Sequence, residues 1–410
     1  MANATSDSDN RFFYGDIFMQ QTPKSERHHI AFFGRCNSGK SSLINALTRQ
    51  TVAVVSDVRG TTTDPVNKSM ELPGIGACVL IDTPGYDDDS VLGTQRVERT
   101  IKVVDQTDIA VMLFTPQWGD EERRWIAELQ AREVPIVAVL SQVDRLDNVS
   151  SLVEAIASDV RVKPLAVSAV TGEGLTALYE ALSVAVVREE RTILQGLVTE
   201  GDTVLLVMPQ DASAPKGRLI QPQVQTIREL LDRRCTVVSC TTEGMPGALA
   251  ALSQPPHLII TDSQVFEAVY KLKPEASRLT SFSVLFARYK GDITTFVEGA
   301  KALKTLNDSS RILIAEACSH VPQNEDIGRV KLPAMLRKKI SAEMQIDVVG
   351  GQEFPQDLTG YDLVIHCGAC MFNSRHVLNR IARARIQGVP ITNYGITIAA
   401  LSGILDRIEY

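Results

Sequence analysis

Residues 29–44 set an apolar run, a glycine-flanked polar loop and a helix-compatible stretch in immediate succession, and few folds admit that order. The run His29 to Phe33 ends in Gly34-Arg35-Cys36-Asn37-Ser38-Gly39-Lys40-Ser41, and Ser42-Leu43-Ile44 opens the next stretch. This is the spacing of a phosphate-binding loop. Its glycines let backbone N–H groups wrap an anion, its lysine reaches the β and γ oxygens, and its serine ligates Mg²⁺. The chemistry requires a strand that feeds the loop into a helix N-terminus, so the chain should contain an α/β domain. Gly34, Asn37, Ser38, Gly39, Lys40, Ser41 and Ser42 are its expected phosphate-binding residues.

The alternation continues through the chain. From His29 to about Val186, apolar strands (residues 29–33, 77–81, 109–114, 136–141 and 164–168) alternate with amphipathic stretches, as in a parallel sheet covered on both faces. The charged Arg188-Glu189-Glu190-Arg191 reads as a linker or an exposed helix end. A second region predicts strands at 203–208, 236–240 and 257–261 with helices at 223–233 and 247–252. A third predicts strands at 282–287, 311–315 and 362–365 with helices around 293–306, 333–344 and 375–387. The expected division is residues 1–187, 188–272 and 273–410: a nucleotide-binding domain followed by two smaller α/β domains with mainly parallel sheets. No internal repeat is visible, although the last two regions share an α/β rhythm.

Further polar motifs follow at the spacing of a GTPase. Gly60-Thr61-Thr62-Thr63-Asp64 can fold over a γ-phosphate, with Thr62 offering an oxygen to Mg²⁺. Asp82-Thr83-Pro84-Gly85 places Asp82 beside the metal and the Gly85 N–H near the γ-phosphate. Lys40, Thr62 and Gly85 are therefore the expected catalytic set. Ser141-Gln142-Val143-Asp144 stands where GTPases usually show Asn-Lys-X-Asp. Asp144 can still accept both hydrogen bonds from the guanine edge, but the replacements are expected to remove a loop-bracing amide and a stem that packs over the base. Ser168-Ala169 can offer a backbone N–H to the guanine carbonyl. GTP is the expected nucleotide, with affinity weakened by those replacements. Asn37 resembles the asparagine with which tRNA-modification GTPases bind K⁺, and a loop-bracing amide is its other reading. Tyr86 takes the place of a water-orienting glutamine, so hydrolysis should be slow and K⁺-stimulated.

Two clusters near the C-terminus carry a different chemistry: Cys318-Ser319-His320 and His366-Cys367-Gly368-Ala369-Cys370. Both follow apolar strands, and in a parallel sheet such strand ends share an edge. Three thiolates with one histidine suit a tetrahedral zinc site, and three thiolates with a weak fourth ligand suit a [4Fe–4S] cluster. His320, His366 and Glu325 are the fourth-ligand candidates, and His366 reads equally as a core histidine. The other four of the seven cysteines lack partners at metal spacing.

Composition removes several classes. A net charge of -7 opposes a broad nucleic-acid footprint, and no run reaches the about 18 apolar residues needed to span a membrane. With a polar, acidic N-terminus the expected compartment is the cytoplasm, where thiols stay reduced.

The order of these parts resembles the [FeFe]-hydrogenase maturation GTPase family, HydF, over nearly the whole chain. The resemblance implies a TrmE/Era-like phosphate-loop GTPase domain, a middle dimerisation domain that makes a homodimer, and a [4Fe–4S] cluster on Cys318, Cys367 and Cys370 with a replaceable fourth ligand. It further implies a scaffold that receives the di-iron precursor of the H-cluster, made with radical-SAM maturases, and delivers it to apo-[FeFe]-hydrogenase. GTP with Mg²⁺ would then act as a conformational timer. Two other readings compete: an RNA-modification or ribosome-assembly GTPase with a structural zinc domain, and a GTP-regulated thiol oxidoreductase using Cys367 and Cys370.

Overall fold

The architecture comes from a computed structural model that describes residues 22–50, 66–72, 74–85, 100–186, 192–210, 217, 219–317, 327–351 and 353–410. The chain divides between Glu189 and Glu190 into two compact units. In the first, six strands, β1 (His28–Phe33), β2 (Val66–Leu72), β3 (Gly76–Asp82), β4 (Ile109–Phe114), β5 (Ile136–Ser141) and β6 (Leu165–Val167), form one sheet in the order β2-β3-β1-β4-β5-β6. All neighbours are parallel except β2 and β3. β4 is buried along its whole length, the burial expected of a parallel strand covered on both faces.

Alternation along β1 shows how the layers form. Ile30 and Phe32 pack under α1 (Lys40–Gln50) and α4 (Leu175–Ala185) through Leu43, Ile44, Leu178 and Leu182. Ala31 and Phe33 point to the other face, against Trp125, Ile126 and Leu129 of α2 (Asp120–Ala131) and Ile156 of α3 (Val149–Val160). Edge strand β2 carries Asn67, Lys68, Ser69 and Glu71, so no apolar run marks it in the sequence.

The second unit holds two four-stranded sheets. β7 (Thr203–Val207), β8 (Thr236–Cys240), β9 (Leu258–Thr261) and β10 (Arg278–Ser281) are ordered β10-β9-β7-β8; β11 (Arg311–Ala315), β12 (Gln345–Val349), β13 (Leu363–His366) and β14 (Ile391–Asn393) are ordered β12-β11-β13-β14. Every pairing in both is parallel. Counted along the chain, each sheet runs 2-1-3-4, so the topology repeats where the sequence shows no repeat. The connecting helices are α5 (Gln221–Asp232), α6 (Met245–Ala250), α7 (Phe266–Leu272), α8 (Phe282–Lys290), α9 (Ile293–Ala300), α10 (Leu332–Lys339), α11 (Ser374–Ile386) and α12 (Tyr394–Leu401).

Two expectations are corrected here. Residues 282–287, read as a strand, begin α8, whose N-cap Ser281 accepts the Val284 N–H at 3.3 Å. The helix is apolar on nearly all sides because Phe282, Leu285 and Phe286 fill one core while Val284 and Ala287 fill another, which hides its period. The boundary expected after residue 272 falls inside a sheet, since β10 hydrogen-bonds to β9 in register Arg278↔Leu258. α12 is buried from Tyr394 to Ala399, and Gly395 lets it approach α8: a Cβ there would lie 2.2 Å from Ser283 Oγ. Among the described residues no helix is long and apolar enough to cross a membrane.

Candidate functional site

In the first unit the polar loop joins β1 to α1 as its spacing requires. Gly39 has φ +93°, a left-handed conformation that suits glycine, and Leu43 N–H already bonds Gly39 O at 2.8 Å to start the helix. Lys40 Nζ donates to the Gly34 and Arg35 carbonyls at 2.9 and 2.8 Å. Ser41 Oγ donates to Asp82 Oδ2 at 2.5 Å, which brings the expected Mg²⁺ ligand and the β3 carboxylate together. The register Phe32↔Asp82 accounts for that meeting. Gly85 lies against the loop: a Cβ on it would sit 2.4 Å from Cys36 Sγ and 2.5 Å from Cys36 N. Thr62 and Tyr86 fall outside the described residues.

The structure corrects the expected loss of bracing at residues 141 and 142. Ser141 Oγ donates to Ser38 O at 2.7 Å and lies 3.2 Å from Phe114 O, so a hydroxyl ties β5 to the phosphate loop. Gln142 is left-handed, with φ 58°, and its Nε2 donates to Asn37 O at 2.8 Å. The same amide lies over Gly39, where a Cβ would meet it at 3.4 Å. A second brace escaped the sequence reading. Buried Glu122 accepts the Gly119 N–H at 2.7 Å at the start of α2, and its Oε1 accepts Arg35 Nε at 2.6 Å, anchoring the loop from the other face. Nothing in the spacing of residues 35 and 122 announces this pair.

The structure brings Asp144, Ser168 and Ala169 together. Ser168 Oγ donates to Asp144 Oδ1 at 2.6 Å while accepting the Val170 and Thr171 N–H groups, which fixes the carboxylate's orientation. A cleft beside it is lined by Gly39, Ser42, Gln142, Asp144, Ala169 and Val170, contiguous with the phosphate loop. That arrangement can hold a purine base whose edge donates to a carboxylate.

In the second unit, β11 and β13 are neighbours, and the connections from them leave in opposite directions across the sheet. This is the switch point at which open α/β sheets form a crevice. His366 ends β13 opposite Ala315, and Cys367 follows at the crevice. Cys367 Sγ accepts the N–H of Ala317, the residue before Cys318, at 3.0 Å, and that of Ala369 at 3.4 Å. Ala369, between Cys367 and Cys370, has φ 49°, a conformation that L residues rarely adopt. Cys318, His320 and Glu325 lie outside the described residues.

His366 is fully buried, and both its ring nitrogens are engaged. Arg380 Nη1 lies 3.0 Å from Nε2 and must be the donor, so Nδ1 carries the proton and donates to Cys367 O at 2.7 Å. Burial first, and the Arg380 charge second, push its pKa from the ordinary 6.5 to about 3, so it stays neutral. Its lone pair is turned to Arg380 rather than to the sulfurs. Arg380 is itself buried, donates to Gly351 O at 2.5 Å and stacks over Phe354 at 4.7 Å. Asn393 Nδ2 also lies on Cys367 O, at 3.4 Å. Neither Arg380 nor Asn393 stands near a cysteine in the sequence, so only the fold identifies them.

Three comparisons bear on this geometry. Residues 29–142 match the family model of the 50S ribosome-binding GTPase. The chain is 33% identical over 156 residues to the tRNA modification GTPase MnmE of Nitrosomonas europaea, covering 37% of this chain and 33% of that protein. It is 31% identical over 193 residues to MnmE of Neisseria meningitidis serogroup C, covering 46% and 40%. It thus spans about a third of the length of the curated relatives it matches. The solved structure of Aquifex aeolicus Era bound to GDP.AlF4- is 17% identical and covers 55% of this chain and 98% of its own, with TM-score 0.34. Residues 193–291 match the hydrogen maturase F dimerization domain and residues 294–409 its tetramerization domain. Those two models lie end to end across the unit that bears the cysteine loop, and by them the chain belongs to the hydrogen maturase F family.

Proposed function

We propose that this chain is a GTPase scaffold of [FeFe]-hydrogenase maturation. It holds a [4Fe–4S] cluster with one exchangeable ligand, accepts the di-iron precursor of the H-cluster from radical-SAM maturases, and passes it to apo-hydrogenase. The observation that carries this reading is the approach of Cys367 Sγ to Ala317 N, 3.0 Å, at the β11/β13 switch point, because it brings the Cys367-Cys370 loop to the residue that precedes Cys318. The donor set fits such a cluster: soft thiolates with N–H groups directed at sulfur suit iron–sulfur ligation. When bound, the cluster supplies an iron with a replaceable ligand at which the incoming subcluster can attach. Cys318, Cys367 and Cys370 hold it, His320 and Glu325 are the fourth-ligand candidates, and His366 and Asn393 fix the Cys367 carbonyl.

In the first unit Lys40 and the loop N–H groups bind the phosphates, and Ser41, Asp82 and Thr62 serve Mg²⁺. Gly85 offers its N–H to the γ-phosphate, and Asp144 with Ser168 and Ala169 reads guanine. Hydrolysis is slow and K⁺-dependent through Asn37, since Tyr86 stands where a glutamine would orient water. GTP turnover times domain docking and partner release in a cytoplasmic homodimer, and the match of residues 193–291 to a dimerization domain supports the dimer.

Anaerobic reconstitution followed by iron, sulfide and zinc analysis, with electron paramagnetic resonance on the reduced protein, tests the cluster. A colourless, zinc-loaded protein would overturn it in favour of the structural-zinc reading. A competition assay in which ATP binds as well as GTP would remove the guanine assignment.

A further inference from the structure

Lys290 closes α8 and is 2% exposed, a rare position for an ammonium. Its Nζ donates to Phe372 O at 2.9 Å and Ala369 O at 3.3 Å, carbonyls on either side of Cys370. Its own carbonyl accepts Ser374 Oγ at 2.7 Å. One residue is therefore bonded at both ends to the segment that follows Cys367. It also crosses a module boundary, since Lys290 lies in the stretch matched by the dimerization model and the cysteine loop in the stretch matched by the tetramerization model.

We propose that Lys290 is a positioning residue for the cysteine loop, holding the backbone from Ala369 to Phe372 and thereby setting how tightly the cluster is retained and at what potential it is reduced. This rests on the cluster reading above. Ala369 occupies a left-handed conformation between the two cysteines, and such a conformation persists only where its surroundings over-determine it. The ammonium does so by drawing Ala369 O to itself, while the Ala369 N–H turns to Cys367 Sγ. Desolvating a lysine costs more than desolvating a methionine of similar length, so packing alone gives no reason for the charge. A positive charge behind the loop favours the more negative, reduced cluster.

The test compares the native full-length chain with Lys290→Met, which removes donor and charge, and Lys290→Gln, which removes the charge and keeps an amide donor. In the metal-free proteins, hydrogen exchange of the amides from residue 367 to residue 374 should accelerate about tenfold or more in Lys290→Met; exchange at the native rate overturns the proposal. If Lys290→Met does not fold, Lys290→Gln carries the same comparison. In the reconstituted proteins, iron release to a chelator should accelerate about tenfold in Lys290→Met and less in Lys290→Gln. The reduction potential should move negative in both. Native release rates and potentials in both variants overturn the proposal. A native chain that takes up no iron while loop exchange still responds to Lys290→Met ends the cluster reading and leaves the positioning role standing. Iron uptake with unresponsive exchange ends the positioning role alone.

Discussion

Ser141 offers a direct measure of how the nucleotide loop is held. Its hydroxyl donates to Ser38 O at 2.7 Å, and Ser38 and Ser141 are 0% and 5% exposed. Ser141→Ala removes the single proton that serves this carbonyl and leaves the acceptor buried. An unmet buried partner costs about 1–3 kcal/mol, and the cleft beside Ser141 lets water recover part of it, so about 1–2 kcal/mol is expected. In a unit of this size that lowers the melting temperature by about 2–8 °C. If it fell wholly on binding, the GTP Kd would rise about five- to thirtyfold. The cost divides between fold and nucleotide, so each readout carries a share. Both tryptophans, Trp118 and Trp125, lie in the first unit, and Trp125 is 2% exposed and stacked on Phe33 at 6.1 Å. Tryptophan fluorescence during urea unfolding therefore follows this unit without interference from the second, while a fluorescent guanine nucleotide gives the Kd. Ser141→Asn, which restores the amide that GTPases usually carry here, should stay near native. An Ala variant with native unfolding midpoint and native Kd would refute the brace.

Other outcomes follow from the same geometry. Gly85→Ala sets a Cβ 2.4–2.8 Å from Cys36, so the segment must leave the loop; phosphate release from GTP should fall about tenfold or more with GDP binding retained, and native turnover would count against the contact. Cys367→Ser should lower iron retained after anaerobic reconstitution by about tenfold or more, and undiminished iron would move the cluster elsewhere. For metal-free protein, His366 has a folded pKa of about 3 against an ordinary 6.5. Between those values the unfolded chain binds more protons, so the stability this histidine contributes is complete above about pH 6.5 and declines as pH falls toward 3. Urea midpoints measured by circular dichroism should fall with acid more steeply in the native chain than in His366→Asn; equal slopes would contradict the buried neutral imidazole.

Much of the first unit was legible because its signals are local. A strand, a glycine loop and a helix in register are contiguous in the chain, and β1 and β4 announce themselves as unbroken apolar runs. Elements whose burial is partial or all-round were less visible. β2 and β12 are edge strands with polar residues, and α8 is wrapped by two cores, so neither period stands out. The Ser141 and Gln142 braces leave no mark in the sequence for a related reason: the motif lacks its usual amide and stem, yet a shorter hydroxyl and a left-handed amide reach the same loop through the fold.

Residue identity alone determined the chemistry available: a lysine and glycines for phosphate, a carboxylate for a base edge, and cysteines in pairs for a soft metal. These depend on spacings of a few residues, which the covalent chain enforces. Only the tertiary structure decided which of them meet and in what state. The repeated 2-1-3-4 order puts the cysteine loop at a switch point, Arg380 takes the lone pair of His366, and Lys290 reaches the loop across 79 positions of sequence. Such bonds leave no pattern in the chain because they depend on packing between distant elements, and burial, which sets their strength and the protonation of their partners, exists only once those elements have packed.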